Sequence, residues 1–190
     1  MKSNWMFSVG SKICKILFYA LFIVTFFIIM DHVAHLWFPD SGFTQSLGPF
    51  QPIFSYGYIT FNQDPVLYTE PGFIGLSFLS NMSMIVLAHM FLWYMHRLLR
   101  HVGNNSLFMY ENVAILSRLG LFIIVMGSLF SYSDDLLFSK ALSKLDITNG
   151  QLMVGSLSYI DFVLGGVVLL IIASALKKAV HAVEENKNTI

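Results

Sequence analysis

Along the chain, apolar residues gather into four long blocks, and polar or turn-forming residues gather between them. A run of about 20 apolar residues crosses the ~30 Å hydrocarbon core as a helix. The blocks therefore predict an all-α integral membrane protein, a single domain built as a four-transmembrane-helix bundle, with spans at about 13–38, 72–96, 107–138 and 153–176. Between the first two spans lies an aromatic-rich outer loop, residues 39–70, with no Lys or Arg, five aromatics between Phe50 and Phe61, and prolines at 49, 52 and 65. Its segment YGYITF suggests a short strand, and Asn62-Gln63-Asp64-Pro65 reads as a turn. So many apolar side chains are expected to fold down over the outer mouth of the bundle. An inner hairpin, 97–111, joins the second and third spans, and a polar tail, 177–190, ends the chain.

Local signals add detail. Asn104, Asn105 and Ser106 are candidate caps for the third helix. Beyond Asp134-Asp135, Leu137, Ala141 and Leu145 recur every four positions, which predicts a helix leaving the bilayer or lying on its surface, ended by Asn149-Gly150. Gly165-Gly166 in the fourth span would let another helix approach closely.

Composition sharpens the class. The 190 residues are 56% hydrophobic and 12% charged, about half the charge of a soluble domain. Net charge is zero, so nothing calls for direct nucleic-acid binding. Nine of the eleven Lys and Arg fall in the N-terminal segment, the hairpin region and the tail, leaving only Lys140 and Lys144 on the opposite side. The positive-inside rule then puts both termini in the cytoplasm. Met1–Met30 reads as an uncleaved span, because the apolar run is too long for a signal peptide and no small-residue cleavage site precedes Pro39. A single cysteine, Cys14, allows no intramolecular disulfide.

Candidate chemistry concentrates at the outer end. Asp31, His32 and His35 end the first span, Asp134 and Asp135 lie near the end of the third, and Asp161 sits about two turns into the fourth. Asp31 and His35 share a helical face, and His32 and His35 stand at a spacing that can chelate. Three readings apply: a polar belt meeting headgroups and water, a divalent-metal site, or a polar-ligand or proton pathway. Convergence of Asp31, His35 and Asp161 beneath the loop would favour a liganded site. Asn81, sharing a face with Ser77, is a further polar station and, with His35 and Tyr159, a candidate donor for Asp161, which is expected to face other helices. His89 reads first as a packed histidine. At the inner end, Arg97, Arg100 and Arg118 with Glu111 either anchor the interface or form a docking surface, together with Asn112, Lys177 and Lys178. No phosphate loop, Ser-His-Asp set, CxxC pair or HExxH occurs, and no cofactor is required by the sequence, a divalent metal being the one compatible with it.

The run Gly103…Phe108-x-x-Glu111-Asn112…Leu116-x-Arg118-x-Gly120, with the ending Glu184-Glu185-Asn186-Lys187-Asn188-Thr189-Ile190, resembles the bacterial membrane family known as domain of unknown function 2975. Gly103 and Phe108 stand five apart where three is usual, and Asn188 replaces the usual Leu. The resemblance implies four spans in the bacterial cytoplasmic membrane, no assigned enzyme activity, and genomic pairing with a small helix-turn-helix regulator. It transfers no catalytic residue. The expectation is a non-enzymatic regulatory or accessory protein whose hairpin and tail meet a cytoplasmic or membrane protein partner, alone or as a homo-oligomer. The alternatives are a small transporter or transporter subunit using Asp161, Asn81 and His89, and a metal-binding membrane protein.

Overall fold

The computed structural model describes residues 2–55, 57, 59–104, 107–145 and 158–188. Helix α1 (Lys2–Trp37) leads into a loop holding the one-and-a-half-turn α2 (Gly42–Leu47) and a 3-10 turn (Val66–Thr69). Helix α3 (Pro71–Gly103) returns to the hairpin. The third long helix consists of α4 (Tyr110–Phe122), a π turn (Ile123–Gly127) and α5 (Ser128–Leu142), and α6 (Ser158–Asn188) completes the bundle. Each of the four is long and apolar enough to cross a membrane, so this is a multi-pass membrane protein in contact with lipid. Only helices satisfy every backbone N–H and C=O within a single spanning segment, which is why unbroken apolar runs fold this way. At ~1.5 Å per residue, the 36 residues of α1 extend about 54 Å. The helix therefore projects well past the hydrocarbon core.

Helix α1 lies along α3, α3 also packs on α4 and α5, and α6 packs mainly on α4 and the π turn. The exposed Phe22, Phe26 and Phe27 of α1 and Val168, Ile171 and Ile172 of α6 give the bundle its lipid-facing sides. Two apolar clusters mark its ends. At the hairpin end, Tyr94 of α3 meets Ile115 and Leu119 of α4. At the loop end, Phe50, Leu67 and Tyr68 of the loop join Phe73 and Ile74 of α3 and Leu137 and Ala141 of α5. Phe54, Ile59 and Phe61 pack against this second cluster. The loop is thus a cap seated on the ends of α3 and α5.

Three expectations are corrected. No strand is present among the described residues; Tyr56 and Tyr58 lie outside them, and the rest of YGYITF is irregular, its Ile59 and Phe61 packed into the cap without a neighbouring strand edge. Of the two readings given to Leu137 and Ala141, a helix lying on the surface is ruled out, because both are fully buried beneath the cap on a helix that runs unbroken to Leu142. Asn104 caps the end of α3, and the position before α4 is Met109, without a side-chain cap. Asn105, Ser106, Asn149-Gly150 and the first residues of the fourth span, 153–157, lie outside the described residues.

Gly166 supports the expectation of close helix approach. A Cβ there would stand 2.6 Å from the Gly120 carbonyl oxygen and 2.4 Å from Ile124, whereas one on Gly165 would meet nothing. Gly127 in the π turn is equally tight against Phe162. Gly120, Gly127 and Gly166 let α6 lie directly on the backbone of the third helix.

Candidate functional site

The loop end is built around two histidines of α1. His32, 4% exposed, turns Nδ1 back to the Ile28 carbonyl at 2.8 Å. A carbonyl only accepts, so Nδ1 carries the proton and Nε2 is left to accept from the Ser77 hydroxyl at 3.2 Å. Asn81 Nδ2 in turn donates to Ser77 Oγ at 3.4 Å, so Asn81, Ser77 and His32 form one chain between α3 and α1. His35 Nδ1 faces the Asp31 carbonyl at 2.9 Å, and Nε2 faces the Gly48 carbonyl at 3.1 Å. The Asp31 carboxylate stands 3.4 Å from the same Nδ1. The Gly48 contact ties the loop to α1. It also commits the ring nitrogens: among the described residues, no group of three or more His, Cys, Asp or Glu is placed to hold a metal ion.

Asp134 ties the loop to the bundle from the other side. It is 1% exposed, and Oδ2 accepts from the Ser55 backbone N–H at 3.2 Å while Oδ1 accepts from the Ser80 hydroxyl at 3.4 Å. A buried carboxylate requires such donors. One side chain of α5 therefore joins the loop and α3. Asp135, one position on, is only half-buried. Asp161 lies exposed on α6, with no hydrogen bond or ion pair among the described residues. That corrects the expectation that it faces other helices. His89 packs edge-on against Phe22, ring centroids 4.5 Å apart, with Nδ1 on the Ile85 carbonyl.

At the hairpin end, Arg97 of α3 pairs with Glu111 of α4. His101, one turn after Arg97, donates from Nδ1 to Asn112 Oδ1 at 2.7 Å and places Nε2 3.8 Å from Glu111. Asn112, fully buried, donates from Nδ2 to the Leu107 carbonyl at 2.8 Å. These side chains latch the hairpin shut. Arg100, Arg118, Lys177 and Lys178 remain exposed. On the tail, Glu184 is a hydrogen-bond partner of Tyr110, and His181 lies 3.3 Å from Glu185.

The family model described as a protein of unknown function, DUF2975, matches residues 68–190. The chain belongs to the DUF2975 family. No curated protein and no solved structure matches it. The DUF2975 match begins at Tyr68 and takes in α3 through α6, hence both Asp134 and the hairpin latch. Within this DUF2975 chain, sequence reasoning overlooked Ser11, whose hydroxyl donates to the His96 carbonyl at 3.1 Å while His96 Nδ1 donates to the Ser11 carbonyl at 2.8 Å. It also overlooked Tyr68. This side chain is 3% exposed, its hydroxyl has no hydrogen-bond partner among the described residues, and it lines a cleft of about 420 Å³ under the loop. Burial, and secondarily the Asp64 carboxylate, push the Tyr68 phenol above its ordinary value. Neither stood out in the sequence, Ser11 lying beside Lys12 and Tyr68 beside Thr69 and Glu70.

Proposed function

We propose that this DUF2975 protein is a non-enzymatic regulatory or accessory protein of the bacterial cytoplasmic membrane, with both termini in the cytoplasm. The loop cap receives an outside signal, and the hairpin and tail pass it to a protein partner. One observation carries the reading: the helix whose Asp134 holds the cap also carries Glu111 and Asn112 of the hairpin latch at its other end. The two stations lie on one element, Tyr110–Leu142, interrupted by a π turn at Ile123–Gly127. Such turns often sit at functional positions in helices. A ligand that binds one arrangement of the cap better than another shifts the helix between arrangements, and with it the exposed Arg100, Arg118, Lys177 and Lys178. The transport alternative draws less support, because Asp161 is exposed on α6 while Asn81 bonds to Ser77.

A photo-crosslinking residue placed at Lys178 in native membranes tests the reading. The expected result is a discrete adduct with a partner protein, lost when Arg100 and Arg118 are reversed to Glu. Its yield should change in Asp134→Ala, which removes the acceptors for both the Ser55 N–H and the Ser80 hydroxyl. No discrete adduct, or one indifferent to all three substitutions, would overturn it.

A further inference from the structure

The cleft under the cap has a volume suited to a small molecule, about 420 Å³ against ~300–1,000 Å³ for ligand sites generally. Pro49, Phe50 and Ile74 give it apolar walls, and the His35 ring on its border already has both nitrogens engaged. Thr44, Gln45 and Thr69 of the lining donate to backbone carbonyls, which leaves the Tyr68 hydroxyl and the Asp64 carboxylate. The Tyr68 hydroxyl is buried with no partner among the described residues, an arrangement proteins rarely keep without a reason. Asp64 stands exposed at the rim, where among the described residues its Oδ1 accepts from Gln51 Nε2 at 3.2 Å and its Oδ2 has no hydrogen-bond partner. The loop that lines the cleft, residues 39–70, has no Lys or Arg but has Asp40, Asp64 and Glu70, and of these carboxylates Asp64 stands at the cleft itself. An anion entering there would meet the like charge of Asp64, whereas a cation would be drawn to it.

We propose that the cleft binds a small organic amine, its ammonium shared between the Asp64 carboxylate and the Tyr68 phenol oxygen and its apolar body lying against Phe50 and Ile74. An ammonium is a donor without acceptors, and it fits a carboxylate and a phenol oxygen together. The phenol keeps its proton, so it contributes an acceptor lone pair to the ammonium and leaves its O–H for a second polar atom of the ligand. The assignment names the signal class for the cap and rests on the regulatory reading only for what binding causes. Binding itself is read on the isolated protein, where the presence or absence of a partner plays no part.

The experiment is calorimetric titration of the full chain in lipid nanodiscs with phenethylamine, alongside the neutral 2-phenylethanol and the anionic 3-phenylpropionate, each blanked against empty nanodiscs. The expected result is saturable binding of the amine at one site per chain, with the alcohol and the acid at least about fivefold weaker, as for loss of a charge-assisted contact. Asp64→Asn should weaken the amine by a similar factor, and Tyr68→Phe by about threefold. Asp64 is exposed and the Tyr68 oxygen bonds nothing among the described residues, so both variants are expected to keep the wild-type melting curve. Absence of saturable amine binding, equal binding of the three probes, or equal affinity in wild type and Asp64→Asn would each overturn the assignment. The three probes on wild-type protein decide it even if a variant misfolds.

Discussion

Residues that looked chemical in the sequence prove to be committed to holding the protein together. Asn112 uses both ends of its amide, accepting from His101 and donating to Leu107, in a position where neither water nor lipid could replace those partners. His32 and His35 stand at a chelating spacing, yet each turns Nδ1 onto the carbonyl four residues earlier. Spacing along a helix reveals which face a side chain occupies, not which of its atoms the backbone has already claimed. Tyr68 is the opposite case, a buried hydroxyl with nothing claiming it among the described residues. Its phenol lies above the ordinary value of 10.0, so the folded chain holds that proton more tightly than the unfolded chain does. The stabilising difference is complete below about pH 10 and is lost as pH rises through the folded value. Melting curves of wild type and Tyr68→Phe should therefore run parallel from about pH 8 to about pH 10, with wild type falling behind above that. Curves that stay parallel to about pH 11 would mean the ionised phenol is not penalised by its site.

At the scale of elements, the contact between α6 and the third helix depends on which glycine faces inward. The sequence offers Gly165 and Gly166 as equals, and only the second lies against the Gly120 carbonyl. The choice depends on how α6 is rotated against the third helix, and two adjacent glycines in an apolar run carry no trace of that rotation. Gly166→Ala must push the helices apart or displace Ile124, and should cost about 1–3 kcal/mol, the usual range for overpacking. Gly165→Ala meets open space and should be neutral or slightly stabilising, since alanine favours a helix. Reversible unfolding in mixed micelles measures both. Equal effects at the two positions would remove the close approach as the reason for the glycines. The strand expected at YGYITF failed for a related cause: its aromatics alternate as a strand's would, but whether a strand forms depends on a neighbouring edge that local sequence cannot supply.

For the molecule as a whole, the architecture was largely legible because lipid imposes it: four apolar runs have almost no option but four helices. The site was less legible because it is assembled across distance, Ser55 with Asp134 and His35 with Gly48. The regulatory reading also needs the cap and the latch to face different compartments. The charge pattern supports this, since the basic residues cluster at the termini and hairpin while the cap has none. The assignment can be measured on a Cys14→Ser background, which frees the chain of thiols, with single cysteines introduced as Gln63→Cys, Arg100→Cys and Asn186→Cys. All three positions are exposed. A membrane-impermeant maleimide added to intact cells whose outer membrane has been permeabilised should label only the Gln63→Cys protein. All three should react once the inner membrane is opened, which controls for accessibility. Labelling of the Arg100→Cys or Asn186→Cys protein from outside would place the latch on the same side as the cap, and a signal could then pass between them without the helix that joins them.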